Sequence, residues 1–582
     1  MKLRPSVSLV AALAASISGC ASSPMPSMAP KGGEGPRNTE STAAAASPSP
    51  VDPSSPAPSA PRAEYPQSQP GLAPPPPPPP SPSQPQRVMA TKPVAPSAPP
   101  PSPAAAIARP APAASVAQPA AEPQGTEHYA DYGVNPVTDP ARDRLSTFAI
   151  DVDTASYTIS RRKLNEGTLP PFASVRAEEY LNFFRYSYDP PTNKPFAVHT
   201  DAAPSPFTPG HHLVRVGLQG RRVTAEERMP VHLVYLVDTS GSMSGSDRID
   251  LAKKSLRMLT DKLQGRDTVA ICTYAGGVEL ILEPTGIDRR DRIVSAINRL
   301  QAGGSTAMGD GIKLAYDLAK RTLVRGHVNR VVVLSDGDAN VGQTSHEEIR
   351  KIIHGHRGEG ITLSTVGFGS GNYKDVMMEQ LADSGDGNYT YIDSEEQARR
   401  VFSEQVDGLL QVIARDVKIQ VEFDPSVVAT YRLMGYENRD IRDKDFRNDK
   451  VDAGEVGSGH TVTAMYDVVL RRNDRSPITV RVRHKAPLGS ERAEESVFPM
   501  NAQNIARTFE TAHPDFRFAT AVVGFAEVLR KSPAAAEWRL ADIARIASNA
   551  SFGRPERVEL AGLVTRAAQL SGRPITGPAL AH

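Results

Sequence analysis

The chain has 582 residues and a net charge of +1, from 66 Lys and Arg against 65 Asp and Glu. That balance leaves no basic field for nucleic acid and no acidic tail. With only two cysteines, the folded part has no disulfide framework and must stand on packing.

The first residues read as an export signal. Lys2 and Arg4 precede an apolar stretch from Val7 to Ala15, too short to span a bilayer. It closes on Ile17-Ser18-Gly19-Cys20, which resembles the lipobox of bacterial lipoproteins. The resemblance implies a signal peptide over residues 1–19 and an acylated Cys20 as the mature N-terminus. Ala21 and Ser22 follow with no aspartate, implying an outer-membrane lipoprotein facing either the periplasm or the cell surface. Each buried CH2 of such an anchor contributes about 0.8 kcal/mol. The plainer reading is an ordinary signal peptide with a chance cysteine. Residues 20–125 are Pro, Ala and Ser, with Pro74 to Pro80 uninterrupted and roughly thirty of the 53 prolines. Such a segment cannot bury enough apolar surface to offset its ordering entropy, so it is expected to be a disordered tether. Proline-rich chain extends at about 3.1 Å per residue and acts as a spacer.

Residues 126–230 read as a flanking region with β-strands, "HLVRVGL" (212–218) among them. From 231 to 412 apolar strands alternate with amphipathic helices. "HLVYLVD" reads as a central strand, followed by Ile249, Ala252, Leu256, Leu259 and Leu263 at helical spacing. "TVAICTY", holding Cys272 as a small core residue, and "VELILEP" are the next strands, the second alternating like an edge. "RDRIVSAINRL" and "MGDGIKLAYDLAKRTL" are helices, "RVVVLSD" a buried strand and "SHEEIRKIIHGH" a helix. "ITLSTVGFG", "KDVMMEQLAD" and "GNYTYID" give strand, helix and strand, and residues 394–413 read as one long closing helix. The fold class is therefore α/β, a doubly wound, mostly parallel sheet covered on both faces. Residues 413–500 are β-rich, with "VKIQVEF" and "ITVRVRH" alternating like half-buried antiparallel strands. Residues 501–582 are helical, with Phe518, Val522, Phe525, Ala526 and Leu529 on one face. The α/β unit is expected to sit inserted between β-rich flanks that together form one sandwich.

In a doubly wound sheet, ligands bind beyond the carboxyl ends of the strands where the strand order reverses. Asp238 stands at such an end, and Ser240 and Ser242 follow at alternate positions in a glycine-containing turn. Thr306 lies in the glycine loop "GGSTAMGDG" and Asp336 at the end of "VVVLSD". Two carboxylates and three hydroxyls form a hard-oxygen set, suited to Mg2+ first, or to Mn2+ or Ca2+, and wrong for zinc. Asp238-Thr-Ser240-Gly-Ser242, Thr306 and Asp336, in this order on this strand pattern, resemble the von Willebrand factor type A domain. These residues match that family's metal-ion-dependent adhesion site. The resemblance implies that Ser240 and Ser242 bind the cation directly. It implies that Thr306 and Asp336 bind directly or through water, and that a protein partner's Asp or Glu completes the shell. The flanking segments 146–171 and 449–468 are similar to a group of bacterial von Willebrand A lipoproteins.

Plainer readings exist for each polar cluster. Ser246 or Asp247 is the expected N-cap of the helix after the serine loop, which leaves Asp238 and Ser240 without a capping task. Asp151, Asp153 and Ser156 lack the spacing of the adhesion motif and read as structural. His354 and His356, two apart, point away from each other on a helix. The run 440–455 resembles a calcium loop only in composition, lacking a glycine at the sixth place and a glutamate at the twelfth in any register. No catalytic residue is assigned: Met243 stands where a nucleophile elbow needs serine, there is no phosphate loop, and the motif loops offer no general base. The expected function is a membrane-anchored binding module rather than an enzyme. A metal-assisted envelope hydrolase and a structural protein with a vestigial site stand as alternatives.

Overall fold

The computed structural model describes residues 127, 129–305, 307–337, 345–370, 374–487 and 492–572. Cys20, the tether at 20–125 and Thr306 lie outside the described residues.

The N-terminal flank comprises β1 (Leu145–Ala149), α1 (Ala155–Asn165), α2 (Ala177–Phe183), β2 (Phe196–Pro204) and β3 (His211–Gly220). The central unit opens with β4 (Val231–Asp238), α3 (Ile249–Lys262), β5 (Thr268–Tyr274), β6 (Val278–Gly286), α4 (Arg290–Arg299) and α5 (Met308–Arg321). It continues through β7 (Val328–Ser335), α6 (His346–Gly358), β8 (Ile361–Phe368), α7 (Asp375–Ser384) and β9 (Tyr389–Ile392). It ends in α8 (Glu395–Arg399) and α9 (Val406–Leu410). After it come β10 (Val412–Phe423), β11 (Val428–Met434), β12 (Val456–Gly457), β13 (Thr461–Leu470), β14 (Ile478–Lys485) and β15 (Glu494–Pro499). Three helices close the described chain: α10 (Pro514–Leu529), α11 (Leu540–Asn549) and α12 (Pro555–Leu570).

The central sheet has the order β6-β5-β4-β7-β8-β9, parallel except for the antiparallel edge β6. Successive residues of β4 serve opposite cores, as a strand's period of two requires. Leu233, Tyr235 and Val237 pack with α3, α4 and α8, while Val234 and Leu236 pack with α5, α6 and α7. Chain order reverses at β4, so the loops after β4 and β7 diverge there and open the crevice in which such sheets hold ligands.

The flanks interleave. One antiparallel sheet runs β1-β10-β14-β15 and the other β11-β13-β3-β2, so each mixes strands from before and after the central unit. Val214, Val216 and Leu218 of β3 share one core with Val421 of β10, Tyr466 of β13 and Val480 of β14. Strands from before and after the central unit thus fold as one sandwich with the α/β unit inserted. Behind the second sheet, α1 and α2 pack with α10–α12 in a core that also takes Leu213, Met434 and Met465. α10 is buried on nearly every side, from Phe516 to Leu529.

Two expectations require correction. Residues 394–413 are not one helix: a π-helical turn at Arg400–Glu404 separates α8 from α9, and Val412 and Ile413 already belong to β10. The Arg330 guanidinium takes the Leu409 carbonyl, ending the helix there. Gly408 must stay bare, since a Cβ would come within 2.3 Å of His460. The N-terminal flank also carries two helices that its reading as strands missed. α1 is buried on all sides from Ala155 to Arg161, so it shows no amphipathic period to read.

Candidate metal centre

β4 carries its apolar run directly to Asp238, which is fully buried. Thr239 then donates its N–H to Tyr274 O at 3.0 Å, keeping the exit against β5. Both carboxylate oxygens of Asp238 are held. Ser240 N donates to Oδ1 at 2.9 Å, and Ser335 Oγ, at the end of β7, donates to Oδ2 at 2.8 Å. A tight turn over Gly241–Met243 brings the Ser240 and Ser242 hydroxyls to 2.9 Å of each other. Asp336 follows Ser335 directly and is 5% exposed. The glycine loop before α5 is tied to the first loop twice: Gly241 N donates to Gly304 O at 3.0 Å, and Gly303 N to Thr239 O at 2.8 Å. These three loops therefore meet at one rim of the sheet.

Burial drives the Asp238 carboxyl above the usual carboxylate range. The nearby charge of Asp336 adds to that, while hydrogen bonds from Ser240 and Ser335 pull the other way. A divalent cation would answer both the burial and the repulsion. Among the described residues, no group of three or more His, Cys, Asp or Glu side chains gathers as a metal cage. The donors here are two carboxylates and hydroxyls, which fit Mg2+ with its near-octahedral shell and retained waters.

The capping expectation fails in an instructive way. α3 begins at Ile249 after Arg248, and neither Ser246 nor Asp247, nor any other side chain, accepts a capping hydrogen bond from its first turn. The polar run from Asp238 to Ser242 therefore caps nothing at α3. Two residues essential to the arrangement were not singled out in the sequence, Ser335 and Arg248. Arg248 Nη1 donates to Ser242 O at 3.0 Å. A hydroxyl directly before the second aspartate, in "LSDGD", is the one signal that pointed to Ser335.

The other polar clusters are occupied elsewhere. Asp151 and Asp153 pair with Arg439 at 3.5 and 3.3 Å, and Ser156 Oγ donates to Ser174 O at 2.6 Å. His356 stacks on Tyr316 and meets Glu359, while His354 meets Arg357. In the 440–455 run, Asp443 accepts from Thr147 and Asp445 from Arg442 and Asn448. Among the described residues no helix is long and apolar enough to cross a membrane.

A model described as the von Willebrand factor type A domain matches residues 233–339, and one described as von Willebrand factor matches 123–215. A model described as "Uncharacterized protein YfbK, C-terminal" matches 408–478 and 471–570. Uncharacterized protein YfbK of Escherichia coli (strain K12) is 36% identical over 436 residues, 70% of this chain and 75% of that protein. Human inter-alpha-trypsin inhibitor heavy chain H4 is 26% identical over 209 residues, 34% of this chain and 21% of that one. A solved von Willebrand factor type A structure from Catenulispora acidiphila aligns with a TM-score of 0.38 at 16% identity, covering 67% of this chain and 88% of that one. The chain belongs to the YfbK family, and its central α/β unit is a von Willebrand factor type A domain.

Proposed function

We propose that the protein is a binding module of the cell envelope, in which the rim of the von Willebrand A domain holds a divalent cation and, through it, an acidic side chain of a protein partner. Asp238, Ser240, Ser242 and Asp336 would hold the ion, Mg2+ first, with Thr306 completing the set as the family motif implies. When bound, the ion supplies a Lewis-acidic position for a partner's carboxylate. The chain's own contribution is to fix the ligands. The observation carrying this reading is the double restraint on Asp238, one oxygen from its own loop and the other from Ser335 of β7, beside hydroxyls 2.9 Å apart. Such preparation of a buried carboxylate is costly without a cation to face it. Acylation at Cys20 and the proline-rich tether would place the module at the outer membrane, acting by attachment and not by turnover.

The test is a thermal melt with increasing Mg2+. Wild type should rise in Tm with the metal, by mass action on the folded state, and Asp238→Ala should not. Equal responses in the two proteins would dismiss the site. Capture of an envelope partner should then be lost in EDTA and restored by Mg2+.

A further inference from the structure

Behind the rim, two guanidiniums converge on neighbouring carbonyls. Arg248 directly precedes α3; besides Ser242 O, it reaches Ser370 O through Nη2 at 2.6 Å. Its side chain lies so close to Gly369 that a Cβ there would stand 2.3 Å from Nε, and Gly369 adopts φ +75°. Gly369 O accepts in turn from Arg162 Nη1 at 2.7 Å and from the Tyr391 hydroxyl. Arg162 belongs to α1, outside the von Willebrand A domain. Its Nη2 pairs with Glu127 Oε1 at 2.8 Å, and Lys163 and Tyr129 hold Glu127 Oε2 at 2.7 and 3.0 Å. Side-chain exposure is 10% at Arg162 and 5% at Glu127, so these bonds are made away from water and keep their strength.

Hydrogen bonds joined by one residue of backbone thus run from Glu127 through Arg162 to Gly369 O, and from the adjacent Ser370 O through Arg248 to Ser242 O. Attaching α1 to the domain does not require it. Ala155 and Ile159 already pack into the domain core, and Arg161 already pairs with Asp393 at 2.6 Å. We propose that Arg162 and Arg248 are positioning residues for the metal rim, and that the N-terminal flank thereby sets the rim's affinity for its cation. This rests on the metal reading above. Moving α1 or releasing Glu127 would loosen the Gly369-Ser370 segment, leaving Gly369 O to Tyr391 alone, and with it the loop carrying Ser240 and Ser242.

The experiment is a double-mutant cycle on the full chain, with Mg2+ affinity from calorimetry and amide exchange measured without metal. Arg162→Ala and Arg248→Ala should each weaken Mg2+ binding about tenfold, the worth of one buried charged hydrogen bond. The double variant should fall well short of the hundredfold product, since both act through the same short segment, the successive carbonyls of Gly369 and Ser370. Unchanged affinity in Arg162→Ala, or multiplying losses, would overturn the proposal. In metal-free protein, amides 240–244 should exchange faster in Arg162→Ala than in wild type, and equal exchange would overturn it too. Arg162→Lys keeps the charge facing Glu127 without the fork, and serves if the alanine variant does not fold. Asp238→Ala separates the two claims: if it still binds Mg2+, the site reading fails, while the exchange arm still judges the relay.

Discussion

Ser335 shows how little chemistry a site needs when burial is complete. Its single proton goes to Asp238 Oδ2, and its oxygen accepts from Gly337 N at 3.0 Å, so one hydroxyl aligns the first aspartate with the loop of the second. Removing it withdraws a hydrogen bond from the ionised carboxylate, worth about 1.5–3 kcal/mol. On the proposed metal reading, Ser335→Ala should weaken Mg2+ binding by tenfold or more in calorimetry, and Ser335→Thr, which keeps the hydroxyl, should lose far less. Equal affinities for wild type and Ser335→Ala would mean that Oδ2 needs no partner. The residues that face the rim are legible in the sequence because each sits at a strand end or in a glycine turn, where an oxygen has no packing task. Ser335 and Arg248 are harder to read. They act through a neighbour's carboxylate and a distant carbonyl, and the spacing of residues along one chain carries no record of either.

Among the elements, legibility followed exposure. The strands and helices of the von Willebrand A domain show clear periods because most of its helices have one wet and one dry face, as α3 does. α1 has no wet face, and the closing helix is cut short by contacts distant in sequence, Arg330 of β7 on the Leu409 carbonyl and His460 against Gly408. α10 was visible as a helix, but its partner was not. Glu527, fully buried on α10, faces Arg432 of β11 at 2.9 Å, with Arg530 Nη1 at 3.5 Å, binding the helical layer to the back of the sheet. Glu527→Ala would leave Arg432 charged, buried and unpaired, at a cost of about 3–5 kcal/mol. Urea unfolding should show that loss, and adding Arg432→Met should recover much of it. An effect below 1 kcal/mol would mean that apolar packing alone holds α10.

Across the whole molecule, a buried ionic cluster joins flank, domain and sandwich. Arg176, at the start of α2, pairs with Glu179, with Asp375 at 2.7 Å and with Glu379 at 3.8 Å. Arg439, after β11, meets Asp151, Asp153, Glu379 and Asp383 within 3.5 Å. Carboxylates outnumber guanidiniums here. Burial pushes Glu179 up to about 8, against the pull of Arg176 and with Asp151, Glu379 and Asp375 adding to the rise. Burial likewise pushes Glu379 up to about 7, against Arg176 and Arg439. The ordinary value is 4.5, so between there and about 8 the folded protein holds protons that the unfolded chain releases. Stability should therefore fall as pH rises through that window, and Glu179→Gln should flatten the slope in urea midpoints taken from pH 5 to 8. A midpoint that climbs with pH would contradict this. The interleaved sandwich bears on synthesis as well. Thr147 bonds to Asp443, 296 residues later in the chain, and β1 pairs along its length with β10. At ~5–20 residues per second, the ribosome leaves β1 waiting about fifteen seconds to a minute for that strand. Through that interval the nascent flank carries open strand edges, which makes it a natural client for a holding chaperone.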